Sequence, residues 1–287
     1  MLRTLRPFAF AFAASLAVAA CEPTAQNTPQ SLAQERQASQ QLVEQLEARN
    51  MLVEDRALNN YVQGVVNRIE RTRPPGSVPI QSYIVKDADV NAFTPGGGYL
   101  FVNAGLLAAM ENEAQFATVI AHEIGHIDRG HIQAGQATRT GVQLGAMAAQ
   151  IGGALLGVDP NLTQLGVGLG AQYAVSSFTR EQERDADATG VRYLAAAGYD
   201  VDEGARSFEV LRRLYGDQAV PFFASHPPTA ERQQMLTQAA AELGATQGEV
   251  GEAQYDRAVR DLRQEALQFY EQSGRGREAA QVRQNLR

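Results

Sequence analysis

The 287-residue sequence has no tryptophan and one cysteine, Cys21. A single thiol closes no intrachain disulfide, so no disulfide framework holds the fold, and cysteine cannot build a metal site. Histidine is scarce as well, with four residues. Positive charge is in deficit: 25 Lys and Arg stand against 32 Asp and Glu, a net charge of −7. That balance argues against nucleic acid as a partner and against simple attraction to anionic lipid. The apolar run from Phe8 to Ala20 is too short to cross a bilayer. What remains is ordinary for a folded protein: 44% hydrophobic residues support a full core in one large or two modest domains.

Against that background one pentapeptide stands out, His122-Glu123-Ile124-Gly125-His126. Residues i and i+4 of a helix lie about 40° apart on one face. Both imidazoles can therefore reach one zinc ion, with Glu123 beside them to take a proton from water. The preceding run from Glu113 is a good helix former, and Phe116, Val119, Ile120, Ile124 and Ile127 recur at helical spacing.

Two histidines leave a zinc site incomplete. The longer zinc motif needs Gly and His where this chain has Arg129 and Ile132, so that pattern fails. His131 falls about 140° round a continuing helix, off the ligand face, and reads as a surface or second-layer residue. A Glu from a second helix is the remaining common ligand. Thr179-Arg180-Glu181-Gln182 reads as a capping box that opens a helix running to about Ala197 and stopping at Gly198. On it Glu183 and Asp187 are i and i+4. One carboxylate can bind zinc while the other accepts the spare ring N–H of a ligating His.

These elements together resemble a known family. His122-Glu123-x-x-His126 followed by Thr179-Arg180-x-x-Glu183-x-x-Ala186-Asp187 is similar to the HtpX-like zinc endopeptidases, relatives of the CAAX prenyl proteases. The segment from Asn91 to Leu107 resembles the family's approach to its active-site helix. Ser225-His226-Pro227 through Arg232 resembles its C-terminal His-Pro-x-x-x-x-Arg element. The likeness runs from about residue 50 to 245 and is greatest to the soluble lipoprotein members of the LoiP and BepA type. It implies one Zn²⁺ held by His122, His126 and Glu183, with Glu123 as catalytic base and Asp187 orienting a ligand histidine. It implies a gluzincin-type α+β fold, mostly α-helical, with a small sheet whose edge strand flanks the active-site helix. His226 is a second catalytic candidate: it either donates to the developing oxyanion or, as the resemblance suggests, fills the fourth zinc position at rest.

Four segments are expected. Residues 1–20 form a lipoprotein signal peptide, with Arg3 and Arg6 before the apolar run and Val18-Ala19-Ala20-Cys21 resembling a lipobox. Residues 21–50 form a tether and a peripheral helix carrying Leu42, Val43 and Leu46. The zinc peptidase domain spans 51–245. It opens with an amphipathic helix carrying Leu58, Tyr61, Val62, Val65, Val66 and Ile69. Strands are expected at Ile80–Lys86 and Tyr99–Val102, joined through Pro95-Gly96-Gly97-Gly98, with Tyr99–Val102 as the edge strand that pairs with substrate backbone. Gly141–Phe178, with Asp159 its one charge, reads as two buried or site-covering helices. Asp200 opens a helix with Val201, Ala205, Phe208, Leu211 and Tyr215 inward. Residues 246–287 form a C-terminal helical extension, a hairpin with Tyr255, Val259, Leu262, Ala266 and Phe269 on one inner face.

The expected function is zinc-dependent hydrolysis of peptide bonds in misfolded or misassembled envelope proteins. The expected location is an outer-membrane lipoprotein facing the periplasm, held to the membrane by lipid on Cys21. The alternative is an envelope chaperone or assembly factor whose zinc site is mainly structural or self-plugged. An intact Glu123 argues against a purely structural zinc, which needs no base.

Overall fold

A computed structural model describes residues 29–132, 178–215, 226, 230–244 and 247–287. The Cys21 segment and most of Gly141–Phe178 lie outside the described residues. Among the described residues, no helix is long and apolar enough to cross a membrane.

Helix α1 (Pro29–Ala48) leads into α2 (Arg56–Glu70). The α2 N-terminus is capped by Asp55, whose carboxylate accepts from the backbone N–H of Ala57 and Leu58. Its buried stripe is Leu58, Val62, Val65, Val66 and Ile69, the helical spacing read from the sequence. Three strands follow: β1 (Gln81–Val85), β2 (Ala92–Gly96) and β3 (Tyr99–Asn103). Their order is β1-β3-β2, with β3 parallel to β1 and antiparallel to β2.

Two corrections follow. Tyr99–Val102 is not the edge strand, because it belongs to β3, which is paired on both sides. The edge strand packed against the helix of the pentapeptide is β2. That strand contains Pro95, expected in a connecting loop; a proline lacks the N–H for a second ladder bond and so is tolerated at an edge.

One face of the sheet joins the main core through Ile84, Ala92, Leu100 and Val102. The other carries Phe93, Phe101 and Tyr83 in stacked pairs, and Leu42, Val43 and Leu46 of α1 pack on it. The helix expected at the periphery thus closes a second small core. It also grips the β2–β3 turn, where Ser39 donates to the Gly96 carbonyl and Glu35 accepts from the Gly97 N–H.

Short α3 (Ala104–Ala109) precedes α4 (Glu113–Asp128), which carries the pentapeptide and is capped by Asn112. Helix α5 (Arg180–Ala196) starts with the expected capping box, formed reciprocally by Thr179 and Gln182, and ends before Gly198 at φ +80°. The helix expected after Asp200 is broken at Arg206 into α6 (Val201–Ala205) and α7 (Ser207–Tyr215). Helix α8 is Ala230–Leu243, and α9 (Glu252–Gln272) with α10 (Gly276–Asn285) makes the C-terminal hairpin.

The inner stripe of α9 differs from expectation. Phe269 is 40% exposed, while Tyr255, Val259, Arg263 and Tyr270 are buried. Arg263 is inside because the end of α3 offers acceptors: its guanidinium donates to the carbonyls of Ala108 and Met110 and to that of Asn285. Those carbonyls have no partner within a helix end, so a buried donor satisfies them.

Candidate metal centre

Helices α4 and α5 cross at backbone contact. A Cβ on Gly125 would lie 2.7 Å from the Ala186 carbonyl oxygen, and one on Gly190 would lie 3.0 Å from the His122 nitrogen. The two glycines therefore let the histidine face of α4 meet the carboxylate face of α5. His122, Glu123, His126, Glu183 and Asp187 are all buried.

Four donor atoms converge, one each from His122, His126, Glu183 and His226. Nε2 of His122 lies 3.0 Å from Nε2 of His126 and 3.0 Å from Nδ1 of His226. Oε1 of Glu183 lies 2.9 Å from Nδ1 of His226 and 3.4 Å from Nε2 of His126. Zinc bonds of about 2.0–2.1 Å place the corners of a tetrahedron about 3.3–3.4 Å apart. The donor set fits a tetrahedral ion of that size.

The carboxylates beside this group are held by Arg232. Its Nε and Nη2 meet the two oxygens of Asp187 at 2.6 and 2.8 Å, and Nη1 lies 2.8 Å from Oε2 of Glu183. Asp187 Oδ1 in turn sits 2.8 Å from Nδ1 of His122. The predicted pairing of a carboxylate with the spare nitrogen of a ligand-type histidine is therefore present. Glu123 projects beside the group; its Oε1 is 3.3 Å from Nε2 of His226, an ion-pair distance without a formed hydrogen bond.

Burial and charge set the protonation. Burial holds His126 well below the usual histidine range, which keeps it neutral as a ligand must be. Burial pushes the Glu123 carboxyl up, though His226 and His122 oppose it. Glu183 feels burial too, but the facing histidines outweigh it and hold its carboxyl low. Burial likewise acts on Asp187, and Arg232 overrides it to bring the carboxyl down to about 2.

Two residues near the centre are placed more fully than the sequence allowed. Arg232 was noted only as part of a motif, yet it bridges both carboxylates. Its signal was local, the fixed spacing from His226. Of the two positions read for His131, surface or second layer, the structure takes the second: it is buried, and its Nδ1 lies 2.9 Å from Nδ1 of His126. The angular argument assumed a continuing helix. Instead α4 ends at Asp128 and Gly130 takes φ +66°, which turns His131 back over the site.

Comparison with known proteins gives a consistent picture. The sequence profile described as Peptidase family M48 matches residues 52–240. A putative beta-barrel assembly-enhancing protease of Vibrio cholerae is 26% identical over 187 residues, covering 63% of this chain and 39% of that protein. Metalloprotease LoiP of Escherichia coli is 34% identical over 159 residues, covering 55% of this chain and 62% of LoiP. Mitochondrial metalloendopeptidase OMA1 of Arabidopsis thaliana is 32% identical over 157 residues, covering 54% of this chain and 30% of OMA1. The chain thus spans less than two thirds of the length of each of these relatives.

Proposed function

The chain belongs to peptidase family M48, and from that premise we propose that it is a zinc metalloendopeptidase acting on misfolded or misassembled proteins of the cell envelope. The observation that carries this reading is the buried convergence of His122, His126, Glu183 and His226 on one point with Glu123 beside it. Zinc bound there supplies Lewis acidity, activating water and polarising the scissile carbonyl. His122, His126 and Glu183 would hold it. Glu123 takes the proton of the attacking water and passes it to the leaving amine, a role suited to a carboxyl whose proton affinity is raised. Asp187 orients His122, and Arg232 keeps Asp187 ionised and holds both Asp187 and Glu183 in place. β2 packs on α4 beside the site, but all five of its residues are buried, so pairing of an extended peptide with it would require that edge to be uncovered.

Similarity to a putative beta-barrel assembly-enhancing protease and to a metalloprotease supports this substrate class, and the sequence around Cys21 supports a lipid-anchored protein of the outer membrane facing the periplasm. The test is casein degradation with zinc content measured alongside. Glu123→Gln should retain zinc and lose activity by about 10²–10⁴, the usual worth of a positioned general base. Glu183→Gln should lose zinc and activity together. Full proteolysis in Glu123→Gln would overturn the mechanism.

A further inference from the structure

The ring of His126 is fixed from directions that the ligand group does not supply. Its Nε2 faces the converging donors, so a metal held there takes that nitrogen's lone pair and leaves the ring proton on Nδ1. That Nδ1 lies 2.9 Å from Nδ1 of His131. His131 can accept only if its own proton sits on Nε2, and Nε2 lies 3.4 Å from Oδ2 of Asp185. Asp185 is held by Arg129, whose Nε lies 2.5 Å from the same oxygen. Phe178 stacks on the His126 ring, with centroids 3.8 Å apart and planes 25° from parallel. Each tautomer in the chain from Asp185 to His131 to His126 is thus determined once Nε2 of His126 binds.

We propose that His131 is a positioning residue for the metal centre: it accepts the Nδ1 proton of His126, and Asp185 in turn anchors His131. The inference rests on the zinc reading above. It gives the two helix histidines different supports, an ion-paired carboxylate for His122 and a neutral imidazole for His126. His131 reaches its place through the turn at Gly130 and not through helical periodicity.

The test measures zinc affinity by chelator competition, together with the melting temperature before zinc is added. His131→Leu removes the acceptor and should weaken zinc binding about 10–100-fold, the usual effect of losing a partner behind a ligand. His131→Asn carries an amide oxygen on Cγ, where histidine carries Nδ1, and should bind zinc within about 3-fold of wild type. That rescue separates hydrogen bonding from packing, because both variants lose the ring. Equal weakening in the two variants, or no change in either, overturns the inference. Wild-type protein that binds no zinc, or His122→Ala that binds it normally, would overturn the site reading and this inference with it.

Discussion

Removing the imidazole of His226 tests whether the resting site is closed. Nδ1 of His226 stands at 3.0 Å from Nε2 of His122 and 2.9 Å from Oε1 of Glu183, the spacing of a fourth tetrahedral corner. With Nδ1 committed there, Nε2 carries the ring proton and faces Glu123 at 3.3 Å. One side chain would then occupy both the corner that water needs and the carboxylate that activates it. Turnover requires His226 to leave, so the rate scales with the open fraction. If the imidazole is favoured over water by about 1.4–2.8 kcal/mol, roughly 1–10% of molecules are open, and His226→Ala should raise turnover about 10–100-fold. The same substitution deletes a ligand, so zinc affinity should fall, and the assay belongs at saturating zinc with casein as substrate. The double variant with Glu123→Gln must be silent, which excludes a contaminating protease. A loss of about a hundredfold or more with zinc retained would refute the plug and point to an oxyanion donor. Unchanged turnover would show that His226 does not hold the corner.

Two further predictions concern the scaffold. Burial pushes Asp87 up to about 6 from an ordinary 3.8, so the folded state binds its proton more tightly than the unfolded one. The resulting penalty is full above pH 6, on the order of 3 kcal/mol, and vanishes as the pH falls below 4. Asp87→Asn keeps the acceptor for the Asp89 N–H and should therefore raise stability in urea at pH 7 but not at pH 4; an equal gain at both pH values would refute the burial argument. Arg263 is 1% exposed and holds the end of α3, so Arg263→Leu should cost about 3–5 kcal/mol and lower the melting temperature by roughly 10 °C. A shift within error would mean that the C-terminal hairpin is not coupled to the peptidase core.

What the sequence disclosed was set locally. The spacing of His122 and His126, the capping box at Thr179 and the i, i+4 pair of Glu183 and Asp187 each depend on a few neighbouring residues, and all stand in the structure as read. What it hid depends on distant pairing. Strand order is not encoded in the alternation of β3, so its central place was missed. The ion pair between Arg232 and Asp187 joins residues 45 apart, and only its spacing from His226 marked Arg232 at all. Arg263 drew no notice in the sequence, because most of its partners are backbone carbonyls, which carry no sequence signature. His131 was read as either a surface or a second-layer residue, and the choice between them was legible: glycine at 130 is a usual helix stop, and taking it as one turns His131 toward the site.

The glycine-mediated crossing of α4 and α5 also sets when the proposed metal centre is assembled. His122 and His126 can be aligned by one helix alone, but Glu183 joins them only when Gly125 and Gly190 bring the two backbones into contact. His226 comes from 104 residues beyond His122. A chain still folding, or opened locally by heat, therefore displays the histidine pair without a complete catalytic centre. On the proposed zinc reading, immature and damaged copies should therefore be inert, and neighbouring proteins exposed only to molecules whose core has already closed.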